Sequence, residues 1–99
     1  MFEYRFDWDP VKAQRNLRKH GIAFALAATV FNDPTAVSTP DHDHSDTEER
    51  WVTLGRARNG TLLVINHTHR DAGVDVAAVR IISARRPTRH ERRQYESGR

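Results

Sequence analysis

The chain has 99 residues, a mass of 11.4 kDa and 37% hydrophobic residues, enough for one domain with a small core. It has no cysteine, which excludes a disulfide framework, thiol chemistry and cysteine-ligated zinc, and no apolar run approaches the ~20 residues of a membrane-spanning helix. The net charge is +3, and Met1 to Asp9 carries three acids and no apolar core, so a cytoplasmic protein without a secretory signal is expected.

Phe2, Tyr4, Phe6 and Trp8 alternate with Glu3, Arg5 and Asp7, a period of two that predicts a half-buried strand. Asp9 caps a helix, Pro10 fits its first position, and Gly21 is the expected left-handed C-cap after His20. The apolar stripe of this helix is thin: Val11, Ala13 and Leu17. Phe24, Ala27, Ala28 and Phe31 fall on one face of a second helix, which Asn32-Asp33-Pro34 ends. Ala36 to Thr39 makes a short strand, and Asp41 to Glu48 an acidic loop.

Three strands follow, at about Arg50 to Arg56, Thr61 to His69 and Val74 to Ala84. Asn59-Gly60, both tolerant of positive φ, joins the first two as a hairpin, and Arg70 to Gly73 turns the chain into the third. Leu62-Leu63-Val64-Ile65 reads as a central strand buried on both faces. Thr88 and Glu91 form a capping box for a short helix, about Arg89 to Ser97. The expected order is β-α-α-β-β-β-β-α, an α+β domain spanning 1–99 with a small antiparallel sheet.

Charge is unevenly placed. Residues 33–49 hold six acids and no Lys or Arg, whereas residues 80–99 hold seven Arg against Glu91 and Glu96. Fourteen of the sixteen cations are Arg, whose planar fork matches phosphate oxygens. An Arg-rich end beside an acidic middle implies an anionic partner, nucleic acid first; a solvated charged face gives the same counts.

Few residue sets could carry chemistry. Asp41-His42-Asp43-His44 has metal-ligating types but no partner ligand at fixed spacing, so no metal and no cofactor are expected. His67 and His69 point to one face of a strand, either as edge histidines half-covering the core or, for one of them, as a general acid or base. Arg80 lies at an apolar boundary of the last strand and needs an anion, either an internal acid such as Glu49 or a phosphate. Arg85 and Arg86 follow it. Arg89, Arg92 and Arg93 on the last helix form a solvated or nucleic-acid-facing surface, and Tyr95 a core anchor. There is no Gly-rich phosphate loop and no nucleophile elbow. His, Arg, Lys, Glu and Tyr suit metal-free RNA cleavage, in which the 2′-OH is the nucleophile.

Phe6-Asp7-Trp8-Asp9, Lys12, Asn16, Lys19-His20-Gly21, Phe24, Ala27, Val30-Phe31 and Asp33-Pro34 together resemble the opening of the BrnT family, toxins of type II toxin–antitoxin modules. Glu49-Arg50 with Thr53-Leu54-Gly55-Arg56 is similar too, as is Arg80-Ile81-Ile82-Ser83-Ala84-Arg85-Arg86 with Thr88, Arg89, Glu91-Arg92 and Tyr95. The resemblance implies a RelE-like fold and a ribonuclease that inhibits translation. It also implies a BrnA-like antitoxin that masks the toxin and reaches operator DNA through its own DNA-binding domain. Arg80 and Arg85 match the family's strand arginines, the best active-site candidates, and Glu49 and Arg50 its Glu-Arg pair. Lys19 and His20 match its Lys-His-Gly motif, which serves RNA binding or simply a helix end. His67 stands where the family has no fixed catalytic histidine. Arg86, Arg89, Arg92 and Arg93 are the remaining RNA-binding candidates. The alternative is a non-catalytic basic module that holds nucleic acid or an acidic protein.

Overall fold

Five strands, β1 (Glu3–Asp7), β2 (Val37–Pro40), β3 (Arg50–Arg56), β4 (Leu62–Gly73) and β5 (Val76–Arg85), form one sheet in the order β1-β5-β4-β3-β2. This computed structural model describes residues 2–44 and 49–98; residues 45–48 of the expected acidic loop lie outside them. The pairs β2–β3, β3–β4 and β4–β5 are antiparallel, but β1 pairs with β5 in parallel, from Glu3 opposite Val76 to Asp7 opposite Arg80. The sheet is therefore mixed, a correction to the antiparallel expectation. Hairpin signals fix only neighbours joined by tight turns. β1 reaches the sheet through two helices, and its partner is chosen by where Tyr4 and Phe6 find apolar cover, which is against Phe31 at 5.4 Å between ring centroids.

The helix α1 (Pro10–His20) starts and stops where its caps dictate. Asp9 Oδ1 accepts from the Val11 amide at 2.8 Å, and Gly21, at φ 71°, donates its amide to the Leu17 carbonyl at 2.8 Å. Its expected apolar stripe does not hold it down, because Val11 and Leu17 are 58% and 49% exposed. A buried polar residue does. Asn16 donates Nδ2 to the carbonyls of Ile22 (3.1 Å) and Ala84 (2.9 Å), and its Oδ1 accepts from the Ala84 amide at 3.1 Å. One side chain thus ties α1, the chain after it, and β5. Asn16→Ala would orphan three buried backbone groups at ~1–3 kcal/mol each before relaxation. We expect a loss of about 3 kcal/mol, read as a melting temperature at least 10 °C lower.

The short helix α2 (Phe24–Ala28) continues as a 3-10 turn over Thr29–Asn32. With α1 it covers one sheet face, where Ile22, Phe24, Ala27, Val30, Leu63, Ile65, Val79 and Ile81 pack. The other face carries Leu54, Leu62 and Val64 under Tyr95 of the C-terminal helix α3 (Arg89–Ser97). Leu62 through Ile65 are each 2% exposed or less, because this segment of β4 is covered on both sides. Among the described residues no helix is long and apolar enough to cross a membrane.

Two local expectations shift. At the β3–β4 hairpin only Gly60 takes a positive φ (86°); the Gly60 amide bonds to the Ala57 carbonyl at 2.9 Å and the Ala57 amide to the Thr61 carbonyl at 2.8 Å. Those two bonds fit a type I turn closed by a glycine bulge rather than the two-residue turn expected of Asn-Gly. The β4–β5 turn falls at Val74-Asp75, so the segment expected to turn, Arg70 to Gly73, extends the strand.

Candidate functional site

One irregularity in β5 decides which arginines share a face. Asn66 pairs with Ser83 but His67 with Ile81, so Ile82 is an extra residue bulged out of the ladder. Val79, Ile81 and Ala84 all reach the helix-covered core despite their broken alternation. Arg80 and Arg85, of opposite parity in the sequence, therefore both lie on the other face. Arg80 is not tucked toward an apolar face, and its side chain is 49% exposed.

Cross-strand neighbours share a face. Arg50 stands opposite Thr68, Thr68 opposite Arg80, and Arg80 opposite Asp7, a polar row over β3, β4, β5 and β1. Two residues along, Arg70 and Arg5 both stand opposite Ala78. All of these but Arg50 line an open cleft of about 540 Å³, together with Phe6, Glu49 and His69. Arg80 Nη1 donates to Asp7 Oδ2 at 3.1 Å, so its acidic partner is Asp7 and not Glu49. Ala78, with its small side chain, leaves the floor low between Arg5 and Arg70. The cleft can do one thing well. It can hold an anionic, extended ligand with several guanidinium forks on rigid strands, beside a carboxylate at its wall.

Of the five catalytic candidates, Arg80 and Glu49 line this cleft, and Arg50 stands at the β3 end of the row, outside its lining. Arg85 does not line it either. It sits five residues further along β5, about 15 Å at strand rise, and is gripped by Glu91 through two bonds of 2.8 and 2.9 Å. Glu91 also accepts from the Thr88 amide at 2.8 Å, completing the capping box of α3. The Arg85 bonds, helped by Thr88, outweigh burial and hold the Glu91 carboxyl down at about 2. Arg85 thus anchors α3 to the end of β5.

His67 also stands apart, on the helix-covered face and 2% exposed. Its Nε2 and the Thr53 hydroxyl lie 2.6 Å apart, its Nδ1 faces the Thr68 carbonyl at 3.0 Å, and its ring meets Phe31 edge-on at 4.8 Å. Burial pushes its pKa down, more than the Thr68 carbonyl raises it, and the nearby His69 charge adds to the lowering. This is a core histidine with both nitrogens engaged.

The RNA-binding candidates form two groups. Lys19 and His20 close α1 next to Arg86, whose Nη1 donates to the His20 carbonyl at 3.4 Å. Arg89, Arg92 and Arg93 are exposed on α3, which covers the half of the face that the cleft leaves free. Sequence reasoning missed Arg5, Asp7 and Arg70. The first two were legible as the residues out of phase with the Phe2–Trp8 stripe; what was lacking was the position of β1 next to β5.

A family model described as the ribonuclease toxin BrnT of type II toxin–antitoxin systems matches residues 8–91. No curated protein matches the chain. Among solved structures the chain is similar to the Brucella abortus ribonuclease toxin BrnT, with a TM-score of 0.61 and 22% identity over 90% of this chain and 100% of that one. The structural likeness concerns the fold, while the family match runs from Trp8, just after β1, to Glu91 in the capping box of α3. The chain belongs to the BrnT family of ribonuclease toxins of type II toxin–antitoxin systems.

Proposed function

We propose that this chain cleaves RNA without a metal, in the arginine cleft, by attack of a ribose 2′-OH on the adjacent phosphodiester. The observation that carries the reading is the row Arg50, Thr68, Arg80 and Asp7 beside Arg5 and Arg70, all but Arg50 lining the cleft. Arg80 and Arg50 hold the phosphate whose negative charge grows in the transition state. Glu49 takes the 2′-OH proton; the 2′-oxygen–phosphorus bond forms and the bond to the 5′-oxygen breaks. Water in the open cleft returns a proton to that oxygen. The products are a 2′,3′-cyclic phosphate and a 5′-hydroxyl. Arg86, Arg89, Arg92, Arg93, Lys19 and His20 extend the positive field for flanking phosphates.

A type II toxin has an antitoxin partner. Here we take it to be BrnA-like, with an acidic segment that docks on α3. Since α3 and the cleft occupy two halves of one sheet face, such a segment also covers Arg80. The reading completes as a RelE-like single domain acting in the cytoplasm, where RNA loss stops translation.

Expression without antitoxin tests it. Growth and bulk translation should stop, and purified protein should cleave RNA equally in EDTA, leaving 5′-hydroxyl ends. Folded protein with intact cellular RNA would favour the non-catalytic binding module. Activity lost in EDTA and restored by a divalent ion would overturn the metal-free step.

A further inference from the structure

The strand β4 runs past the first residue of β3. Arg50 begins β3 opposite Thr68, so His69 is the first β4 residue without a β3 neighbour. His69 borders the arginine cleft on one face and a second, smaller cavity on the other. That second cavity, about 210 Å³, is lined by Tyr4, Phe31, Ser38, Trp51, His67 and His69. Three strands, β1, β3 and β4, and the 3-10 turn after α2 each contribute an aromatic or imidazole ring to it.

Its chemistry is specific. Tyr4 and Phe31 stand 5.4 Å apart by ring centroid, and Phe31 meets His67 edge-on at 4.8 Å, so those three rings fix one another as a wall. Trp51 is half-buried and pairs with His67 across the ladder, while its indole makes no ring contact with another aromatic among the described residues. The polar groups at the rim are few and fixed. Ser38 Oγ and Thr53 Oγ1 are 2.8 Å apart, and Thr53 in turn meets His67 Nε2 at 2.6 Å. The chain of hydroxyls orients Ser38 from the core outward. A cavity below the ~300–1,000 Å³ of sites for drug-sized ligands admits one ring system. A flat ring with hydrogen-bonding edges, attached to a phosphate chain that the neighbouring arginines hold, fits all of these features.

We infer that this cavity is a nucleobase pocket, in which one unstacked base of single-stranded RNA lies against Trp51 while the adjoining phosphate sits in the arginine cleft, His69 marking the junction. This rests on the RNA-cleaving reading and adds to it a place where base identity is read. Single-stranded RNA is recognised by such splayed bases stacked on aromatic side chains. Trp51 supplies the stacking face, and Ser38 a hydrogen bond to the base edge.

Trp8 and Trp51 are the two tryptophans, so Trp8→Phe leaves Trp51 as the only reporter. Short 2′-O-methyl oligonucleotides, whose nucleophile is blocked, serve as probes. Titration into the full-length Trp8→Phe protein should quench Trp51 fluorescence saturably and to different extents for the four homopolymers. In the wild-type background, Trp51→Leu should weaken oligonucleotide binding roughly ten- to hundredfold, as loss of one base stack does, with Trp51→Phe retaining most of the affinity. Ser38→Ala, on an exposed edge strand, should alter the order of preference among the homopolymers. Melting curves establish that each variant is folded. Binding without quenching, or with the same affinity and base preference in folded Trp51→Leu and Ser38→Ala, overturns the pocket even where cleavage persists. Quenching with base preference upholds it even if no cleavage is ever seen, which would then count against the ribonuclease reading alone.

Discussion

Arg80→Ala should give a folded protein whose RNA cleavage is lower by about 10²–10³, the usual cost of losing one transition-state donor. The structure separates this outcome from a mere loss of stability. Arg80 is half exposed and its partner Asp7 is 69% exposed, so removing the pair costs on the order of 0–1 kcal/mol. A buried arginine would have stranded its acid at far greater cost. Arg85→Ala makes the contrast. It takes two bonds from Glu91, itself only 23% exposed, and loosens α3 before it touches any chemistry. A thermal melt beside the cleavage assay reads both. Full activity in folded Arg80→Ala removes this residue from the site, and an unshifted melting temperature in Arg85→Ala removes it from the anchoring role.

Asp33→Ala should be among the most destabilising single changes in the chain. Asp33 is the point where the 3-10 turn after α2, strand β3 and helix α3 meet. Its Oδ2 accepts from the Arg56 amide at 2.8 Å and from the Tyr95 hydroxyl at 2.7 Å, and its Oδ1 from the Thr35 amide and hydroxyl at 2.9 Å each. Burial opposes the charge, but those four donors together outweigh it and bring the pKa from 3.8 down to about 2. Losing the acceptor leaves the Arg56 amide unsatisfied and removes the charged one of two partners of the Tyr95 hydroxyl, the Thr35 hydroxyl at 2.8 Å remaining, at about 2–4 kcal/mol in total. For a domain of this size that is a melting temperature lower by 10 °C or more. The pH dependence has a definite sign. A carboxyl whose pKa is lower when folded contributes its full stability above the unfolded value, and loses it as pH falls from about 4 to about 2. Chemical denaturation across that window should show a steep loss in the wild type and a flatter one in Asp33→Asn. Parallel curves would mean that Asp33 is not the group being titrated.

Gly55 shows the same packing from the backbone side. A Cβ there would stand 2.9 Å from Ala36 Cβ and Val30 Cγ1 and 3.2 Å from Asp33 Oδ2. Glycine lets the Asp33 turn lie directly on β3, and this closeness brings the carboxylate within reach of the Arg56 amide.

Local chemistry in the sequence determined the ends of α1, the strand character of β1, β3 and β5, the double burial of β4 and the capping box of α3. Each follows from residues within a few positions of one another: Asp9 with Pro10, Gly21, the alternating Phe2 to Trp8, the block Leu62 to Ile65, and Thr88 with Glu91. The ordered motifs were enough to reach the family. Tertiary structure decided the rest, because it turned on pairings between distant residues. Whether β1 lies parallel to β5 depends on where its aromatic face is covered, and that brings Arg5 and Asp7 to Arg80. The faces of Arg80 and Arg85 depend on the bulge at Ile82, which no alternation in the sequence reveals. His67 and His69, two apart on one strand, part company because only the first is covered by Phe31. Asn16, a polar residue on a helix with a thin apolar stripe, becomes its anchor only because the Ala84 backbone arrives beside it, 68 residues later in the chain.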